Sequence, residues 1–336
     1  MSKAQNILQT EKAIEFVKKT FEDHLSKQLN LDKVSAPIAL LEHTGLNDEL
    51  NGVEKPVSFG VPALNNKRAV IVQSLAKWKR MRLKELEIEP GAGILTDMRA
   101  LRPDEEFSPI HSIYVDQWDW EQTMHDTDRT LEYLKKVVNS IYESIKTTEV
   151  EVCSFDRTIK PILPDQIHFI HAEELLGRYP GMNPKEREKM ICKEYGAVFI
   201  IGIGAALSDG KPHDGRAPDY DDWSSDNEDG FKGLNGDILC WHPVLGNAFE
   251  LSSMGVRVDA AALDLQLEMR ACPEKACYPF HQRLLRGDLP QSIGGGIGQS
   301  RLCMLLLRKG HIGEVQSGIW PEDEKERLAK QGLSIL

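Results

Sequence analysis

Ile14, Val17, Phe21 and Leu25 recur at steps of three and four, with Lys and Glu between them. This spacing predicts an opening helix that stops near Asn30. The chain then reaches Pro37 through Val34, Ser35 and Ala36, and it reads as extended because the residue before a proline avoids helical backbone. Residues 68–73 (Arg-Ala-Val-Ile-Val-Gln) read as a strand, and 75–86 as a helix with Leu75, Trp78 and Arg82 along one side. Residues 112–120 alternate as a strand does, with Ile113, Val115, Gln117 and Asp119 on one face and Tyr114, Asp116, Trp118 and Trp120 on the other. Leu131, Leu134, Val138, Ile141 and Ile145 mark the clearest amphipathic helix. A helix over 184–195 begins on proline and is followed by Gly196. Strands are predicted at 167–170, 197–203, 237–241 and 248–258. Short helices fill 259–286, and a last helix begins near Gly298. Consecutive strands without crossover helices favour the α+β class: an antiparallel sheet flanked by helices, in one domain spanning 1–336. The polar stretch 209–230 reads as a loop, of a length uncommon unless functional or disordered.

Composition narrows the partners. A chain of 336 residues can bury a core without disulfides or a structural metal. The longest apolar run, over 197–207, is too short and glycine-broken to span a bilayer. The polar opening Met1–Asn6 has no apolar signal core, so a cytoplasmic chain is expected. The net charge of −11 argues against nucleic-acid binding through the overall field. Six scattered cysteines, none spaced Cys-x-x-Cys, read as reduced thiols.

Four strings carry candidate chemistry. Residues 294–301 (Gly-Gly-Gly-Ile-Gly-Gln-Ser-Arg) match neither the dinucleotide fingerprint nor a P-loop. They read either as a turn or as a place where a flat ligand approaches backbone, with Arg301 able to stack on a base. In residues 98–105, Arg102 stands beside the rigid Pro103, which suits a two-pronged phosphate or carboxylate contact or, alternatively, a surface turn with an Arg–Asp pair. Asp237 and Glu250 lie in apolar strand settings, where a carboxylate is costly unless paired or bound to metal. They suit Mg²⁺ with nucleotide phosphates, or a buried pair with Arg257 or Arg301. Residues 216–223 (Arg-Ala-Pro-Asp-Tyr-Asp-Asp-Trp) set a cation beside carboxylates, as a zwitterion would need, or form a solvated acidic loop. His168, His171, Cys272, Cys277 and His281 have no zinc spacing.

Together these strings resemble the ammonia-dependent asparagine synthetase (aspartate–ammonia ligase) family. The matching segments are 74–80, 101–105, 114–121, 163–169, 216–223, 234–238, 249–255 and 294–301, which run through nearly the whole chain in family order. That family is similar to the catalytic core of class II aminoacyl-tRNA synthetases. The resemblance implies that the opening helix and the Pro37 strand form a homodimer element, with Arg102 and Arg301 as the arginines of the second and third motifs. Leu101–Asp104 departs from the synthetases' Phe-Arg-x-Glu.

The implied reaction joins L-aspartate and ammonia at the expense of ATP, through a β-aspartyl-adenylate, releasing AMP and pyrophosphate. By resemblance, Arg102 bridges the α-phosphate and the reacting carboxylate, and Arg301 stacks on adenine. Asp237 and Glu250 hold Mg²⁺ or ribose, and Ser112, Gly296 and Gly298 complete the ATP set. Lys79, Gln117 and Arg216 are the candidate carboxylate binders, Asp119 and Asp221 the candidates for the ammonium, and Ser252 and Ser253 line the pocket. Asp48 aligns with a position near the reacting carboxylate that would bind ammonia and accept its proton; with Arg102 and Gln117 it makes the catalytic set. Two alternatives stay open: an activating enzyme with another acceptor, and a non-catalytic paralogue that binds aspartate or AMP.

Overall fold

The computed structural model describes residues 3–47 and 55–336. Helix α1 (Lys3–Leu29) ends where Asn30 takes a φ of +53°, a left-handed conformation that asparagine tolerates. The chain then turns directly into the edge strand β1 (Leu31–Lys33). Three short strands, β2 (Ala39–Leu41), β3 (Ser58–Val61) and β4 (Lys67–Ile71), make a separate antiparallel sheet in the order β2-β4-β3. Helix α2 (Ala76–Glu85) follows, then the long hairpin of β5 (Gly93–Leu101) and β6 (Tyr114–Thr123). Helix α3 (Leu131–Phe155) starts at Thr130, whose hydroxyl oxygen accepts the Tyr133 N–H. Strand β7 (His168–His171), helices α4 (Ala172–Arg178) and α5 (Pro184–Tyr195) and strand β8 (Ala197–Ile201) come next. A long connection leads to β9 (Asn235–His242) and β10 (Asn247–Val256). The chain closes with α6 (Ala260–Met269), α7 (Pro279–Leu285), β11 (Ser292–Gly298), α8 (Gln299–Leu306) and α9 (Glu322–Lys330).

The main sheet has eight strands in the order β1-β5-β6-β11-β10-β9-β8-β7. The five pairings from β5 to β8 are antiparallel, as the missing crossover helices predict, while the outermost pairs β1–β5 and β7–β8 are parallel. One face is covered by α1, α3 and α8. There Val17, Phe21 and Leu25 meet Leu134, Ile141, Trp118 and Trp120 in one core. Phe21 and Trp118 lie 4.6 Å apart, and burying each such side chain stabilises by roughly 1.5–3 kcal/mol. On the other face α4 and α5 pack over one end through Leu175, Ile191, Val198 and Ile200, and α2 packs on β5, β6 and β11. A cleft remains beside α2, lined by residues of β6, β10 and β11 and by residues 214–216, Tyr220 and Asp221. No helix among the described residues is long and apolar enough to cross a membrane.

Four sequence expectations need correction. Strand β5 was hidden, because Met98 and Ala100 point inward while attention falls on the polar Arg99 and Arg102 between and beyond them. The glycine run is the central strand β11, not a turn. The helix that begins near Gly298 is α8 and not the last, because α9 follows it; in α2, the cations Lys79 and Arg80 are turned inward and buried. The acidic-loop reading of 216–223 also fails. Arg216, Asp219, Asp221 and Asp222 are all buried, and Trp223 anchors the segment by donating its ring N–H to the Ala217 carbonyl.

Candidate active site

Strand alternation aims Gln117, Asp119 and Glu121 of β6 at the face opposite Trp118 and Trp120. Beside them β11 carries no side chain over three residues. A Cβ at Gly296 would sit 2.6 Å from both Asp119 Oδ1 and Gln117 Oε1, and one at Gly294 would collide with the Glu121 carboxylate. The glycines therefore make room for the neighbouring polar side chains as well as for a ligand. On the far side, β10 has a register break between Glu250 and Ser252. A bulge of this kind re-aims side chains, and it brings Glu250 and Ser253 into contact at 3.3 Å, three residues apart on one strand.

Two adjoining cavities result, an inner one of about 320 Å³ and an outer one of about 230 Å³. Arg102, Glu105, Gln117, Glu250, Ser253 and Gly296 border both, so the two halves meet at these residues. The inner half adds Lys79, Asp119, Arg216, Asp221 and Asp237. The outer half adds Ser112, Ser252, Gly298 and Arg301. Every candidate site residue named from the sequence thus reaches one cleft, except Asp48, which lies outside the described residues.

The inner half is a lattice of opposite charges. Arg216 donates to Asp237 at 2.6 Å and to the Ser253 hydroxyl at 3.0 Å, and its Nε lies 3.4 Å from Asp221. The two carboxylates outweigh burial and hold its pKa well above the usual arginine value. Asp221 is also bonded by Arg257, which forks onto Glu121 at 2.9 and 2.8 Å. Asp221 is therefore already met by two guanidiniums, so the structure makes it a support for Arg216 rather than an open site for an ammonium. Lys79, fully buried, donates to the carbonyls of Trp120 and Gly295 at 3.0 Å each and lies 3.5 Å from Asp119.

Arg102 sits where the halves join. Its Nη2 donates to the Gln73 carbonyl at 3.3 Å, and its buried Nε has no partner among the described residues. Burial pulls its pKa down against the carboxylate of Glu105. An unsatisfied buried guanidinium N–H is costly and marks a place where an anionic ligand belongs. Arg301 donates to the Glu250 carbonyl at 3.1 Å, stands 3.8 Å from its carboxylate, and lies over the Phe249 ring. The Ser252 hydroxyl is buried and also without a partner among the described residues. The Ser112 hydroxyl is bonded to the Tyr114 carbonyl and to Gln316, so it braces the outer wall.

Asp237 and Glu250 meet at Ser253, whose hydroxyl lies 2.8 Å from one carboxylate and 3.3 Å from the other. Burial, with the nearby charge of Glu250, pushes Asp237 up to about 6 despite Arg216. No cluster of three or more His, Cys, Asp or Glu suited to a metal exists among the described residues. Two hard carboxylates, too few for an all-protein cage, fit Mg²⁺, which is usually held by one or two carboxylates together with substrate phosphates. Of the two expected partners, Arg301 does stand beside Glu250, while Asp237 pairs not with Arg257 but with Arg216, from a loop whose burial the sequence did not show.

Sequence reasoning also missed several lining residues. Glu105 and Tyr220 lay inside the quoted strings, and Arg257 was named only as a pairing partner, but His111 and Asp214 carried no local signal.

A family model described as aspartate–ammonia ligase matches residues 8–332. An aspartate–ammonia ligase of Parabacteroides distasonis is 54% identical over 331 residues, 98% of this chain and 96% of that one. One from Bacteroides thetaiotaomicron is 53% identical with the same coverage. Among solved structures, asparaginyl-tRNA synthetase from Pyrococcus horikoshii complexed with asparaginyl-adenylate matches with a TM-score of 0.68 at 16% identity, covering 93% of this chain and 70% of that one. The Entamoeba histolytica asparaginyl-tRNA synthetase in complex with asparaginyl-adenylate gives 0.65 at 13% identity, covering 93% and 66%. The fold is thus similar to that of these synthetases, and identity above one half along almost its entire length shows that the chain belongs to the aspartate–ammonia ligase family.

Proposed function

We propose that this cleft makes L-asparagine from L-aspartate, ammonia and ATP through a β-aspartyl-adenylate. The observation that carries the reading is Arg102, with an unpaired buried N–H, at the junction of a mixed-charge inner pocket and an arginine-flanked outer one. The inner pocket suits aspartate, which presents two carboxylates and an ammonium. Lys79, Gln117 and Arg216 face the carboxylates and Asp119 the ammonium. The outer pocket takes the nucleotide, with Arg301 against adenine and Gly296 and Gly298 leaving room at the backbone.

A β-carboxylate oxygen attacks the α-phosphorus of ATP; the bond to the bridging oxygen breaks, and pyrophosphate leaves with the electron pair. Arg102 spans the α-phosphate and the attacking carboxylate and stabilises the charge that develops between them. Ammonia then attacks the acyl carbon, the C–O bond to phosphate breaks, AMP departs, and the nitrogen loses a proton. Asp48 is the residue we assign to bind ammonia and take that proton. Asp237 and Glu250 are the residues that would hold Mg²⁺, which neutralises phosphate charge when bound.

The expected products are asparagine, AMP and pyrophosphate, with ammonia as the nitrogen donor. Purified protein supplied with aspartate, ATP, Mg²⁺ and ammonia settles this, and stoichiometric ADP and phosphate would sink the adenylate route.

We further propose that residues 1–336 act as one catalytic unit in the cytoplasm, without a nucleic-acid partner. We propose assembly as a homodimer through α1 and the Pro37 segment. In support, Ile38 is 64% exposed beside that proline, and Phe59 on the adjoining small sheet and Leu64 in the turn between β3 and β4 are exposed. A dimer mass by light scattering is expected at assay concentration; an active monomer would refute this arrangement.

A further inference from the structure

The side-chain cations assigned so far leave the end of the triphosphate to Mg²⁺ alone. Arg102 and Arg301 face the α-phosphate and adenine, while Lys79, Arg216 and Arg257 are held deep in the cleft by carboxylates and carbonyls. Lys185 stands apart from these, in the first turn of α5, the helix that packs on β9 and β10, the strands bearing Asp237 and Glu250. Its Nζ lies 3.1 Å from Asp214 Oδ2 and 3.0 Å from Glu188 Oε1, and its side chain is 65% exposed. Asp214 lines the inner half of the cleft beside Arg216, so the amine sits at the rim. Partial desolvation of the amine at the cleft rim is outweighed by Glu188, Asp214 and Glu250, which raise its pKa, and its charge acts on His111 of the outer half as well. An ammonium has three donors. Two carboxylates orient it and leave one N–H for a further acceptor.

We propose that Lys185 receives the β- and γ-phosphates of ATP and holds the departing pyrophosphate. This rests on the adenylate reading of the cleft. A lysine suits the role because a point charge on a flexible four-carbon stem can follow a leaving group as it moves, where a guanidinium fixed in one plane cannot. Asp214 and Glu188 position the amine. Asp214 also ties the segment carrying Arg216 to α5, which links the phosphate end to the aspartate end.

The test compares Lys185→Gln, Lys185→Arg and, as a charge-loss control on the exposed side of the same helix, Lys193→Gln. The readouts are aspartate-dependent ATP–pyrophosphate exchange and AMP binding by calorimetry. For Lys185→Gln the KM values for ATP and for pyrophosphate should each rise about tenfold, the scale of one charge-assisted hydrogen bond. AMP affinity and the KM for aspartate should change less than about twofold, because AMP lacks the phosphates concerned. Lys185→Arg should recover most of the loss, and Lys193→Gln should behave as the unaltered protein. Unchanged KM values for ATP and pyrophosphate, an equal weakening of AMP and ATP, or a defect confined to aspartate would each overturn the proposal. Absence of exchange in the unaltered protein, with AMP still bound, would overturn the adenylate reading itself and this inference with it.

Discussion

Replacing Arg102 by lysine is expected to lower turnover about 100-fold or more while the protein folds normally. The loss of one preorganised donor to a developing negative charge has this magnitude. A lysine keeps the charge but cannot span phosphate and carboxylate with a planar fork. Among the described residues the side chain makes one hydrogen bond, at 3.3 Å to the Gln73 carbonyl, so little of the described fold depends on it. The substitution should even remove the cost of its unpaired buried Nε. Aspartate KM should rise less than kcat falls, because the contact matures as charge moves onto phosphate. The measurement is kcat beside the melting temperature, and near-normal kcat would take Arg102 out of the mechanism.

Glu121→Ala is expected to be the most damaging change to stability, costing about 3–5 kcal/mol. Glu121 is fully buried; it accepts two donors from Arg257 and the Ser292 hydroxyl, and lies 4.0 Å from Lys79. Removing it leaves Arg257, itself buried, with Asp221 as its remaining carboxylate, and opens the space kept clear by Gly294. Asp221 would then be drawn from Arg216, so the aspartate pocket should loosen as well. An exposed pair on the same face of the molecule, Arg82 with Glu85 on α2, should cost under about 1 kcal/mol when broken. Denaturant midpoints for the two variants decide the matter: a loss in Glu121→Ala no larger than that of the surface pair would show that the network does not carry the fold.

Much of the site was legible because it lies on strands and in uninterrupted strings. Alternation alone puts Gln117 and Asp119 on one face and Trp118 and Trp120 on the other, since the pleat has period two whatever the context. Arg102 beside Pro103 and the carboxylates Asp237 and Glu250 in apolar strands stood out through local chemistry. Other residues carried no such signal. Arg257 reads from the sequence as a partner for Asp237 or Glu250, and its actual partners, Glu121, 136 residues away, and Asp221, 36 residues away, emerge only when the chain is folded. The inward Lys79 and Arg80 reverse the usual helical rule that charge faces water, which holds only where no buried acceptors wait. The bulge in β10 cannot be read from Glu250, Leu251 and Ser252, because a register break is a relation between two strands.

The sequence by itself determined the α+β class, the antiparallel centre of the sheet, the principal helices and the likeness to one family of ligases. Those features rest on hydrophobic periodicity and on contiguous strings, which are properties of neighbours along the chain. Only the tertiary structure decided that the glycine run is a strand, that the edges of the sheet are parallel, and that residues 216–223 are buried. It also decided which charges are spent on one another and which face a ligand: Asp221 is met by two arginines, while Arg102 keeps an unpaired N–H. The reason is that pairing and desolvation act between residues brought together by folding, and a one-dimensional pattern carries no distance between residues far apart along the chain.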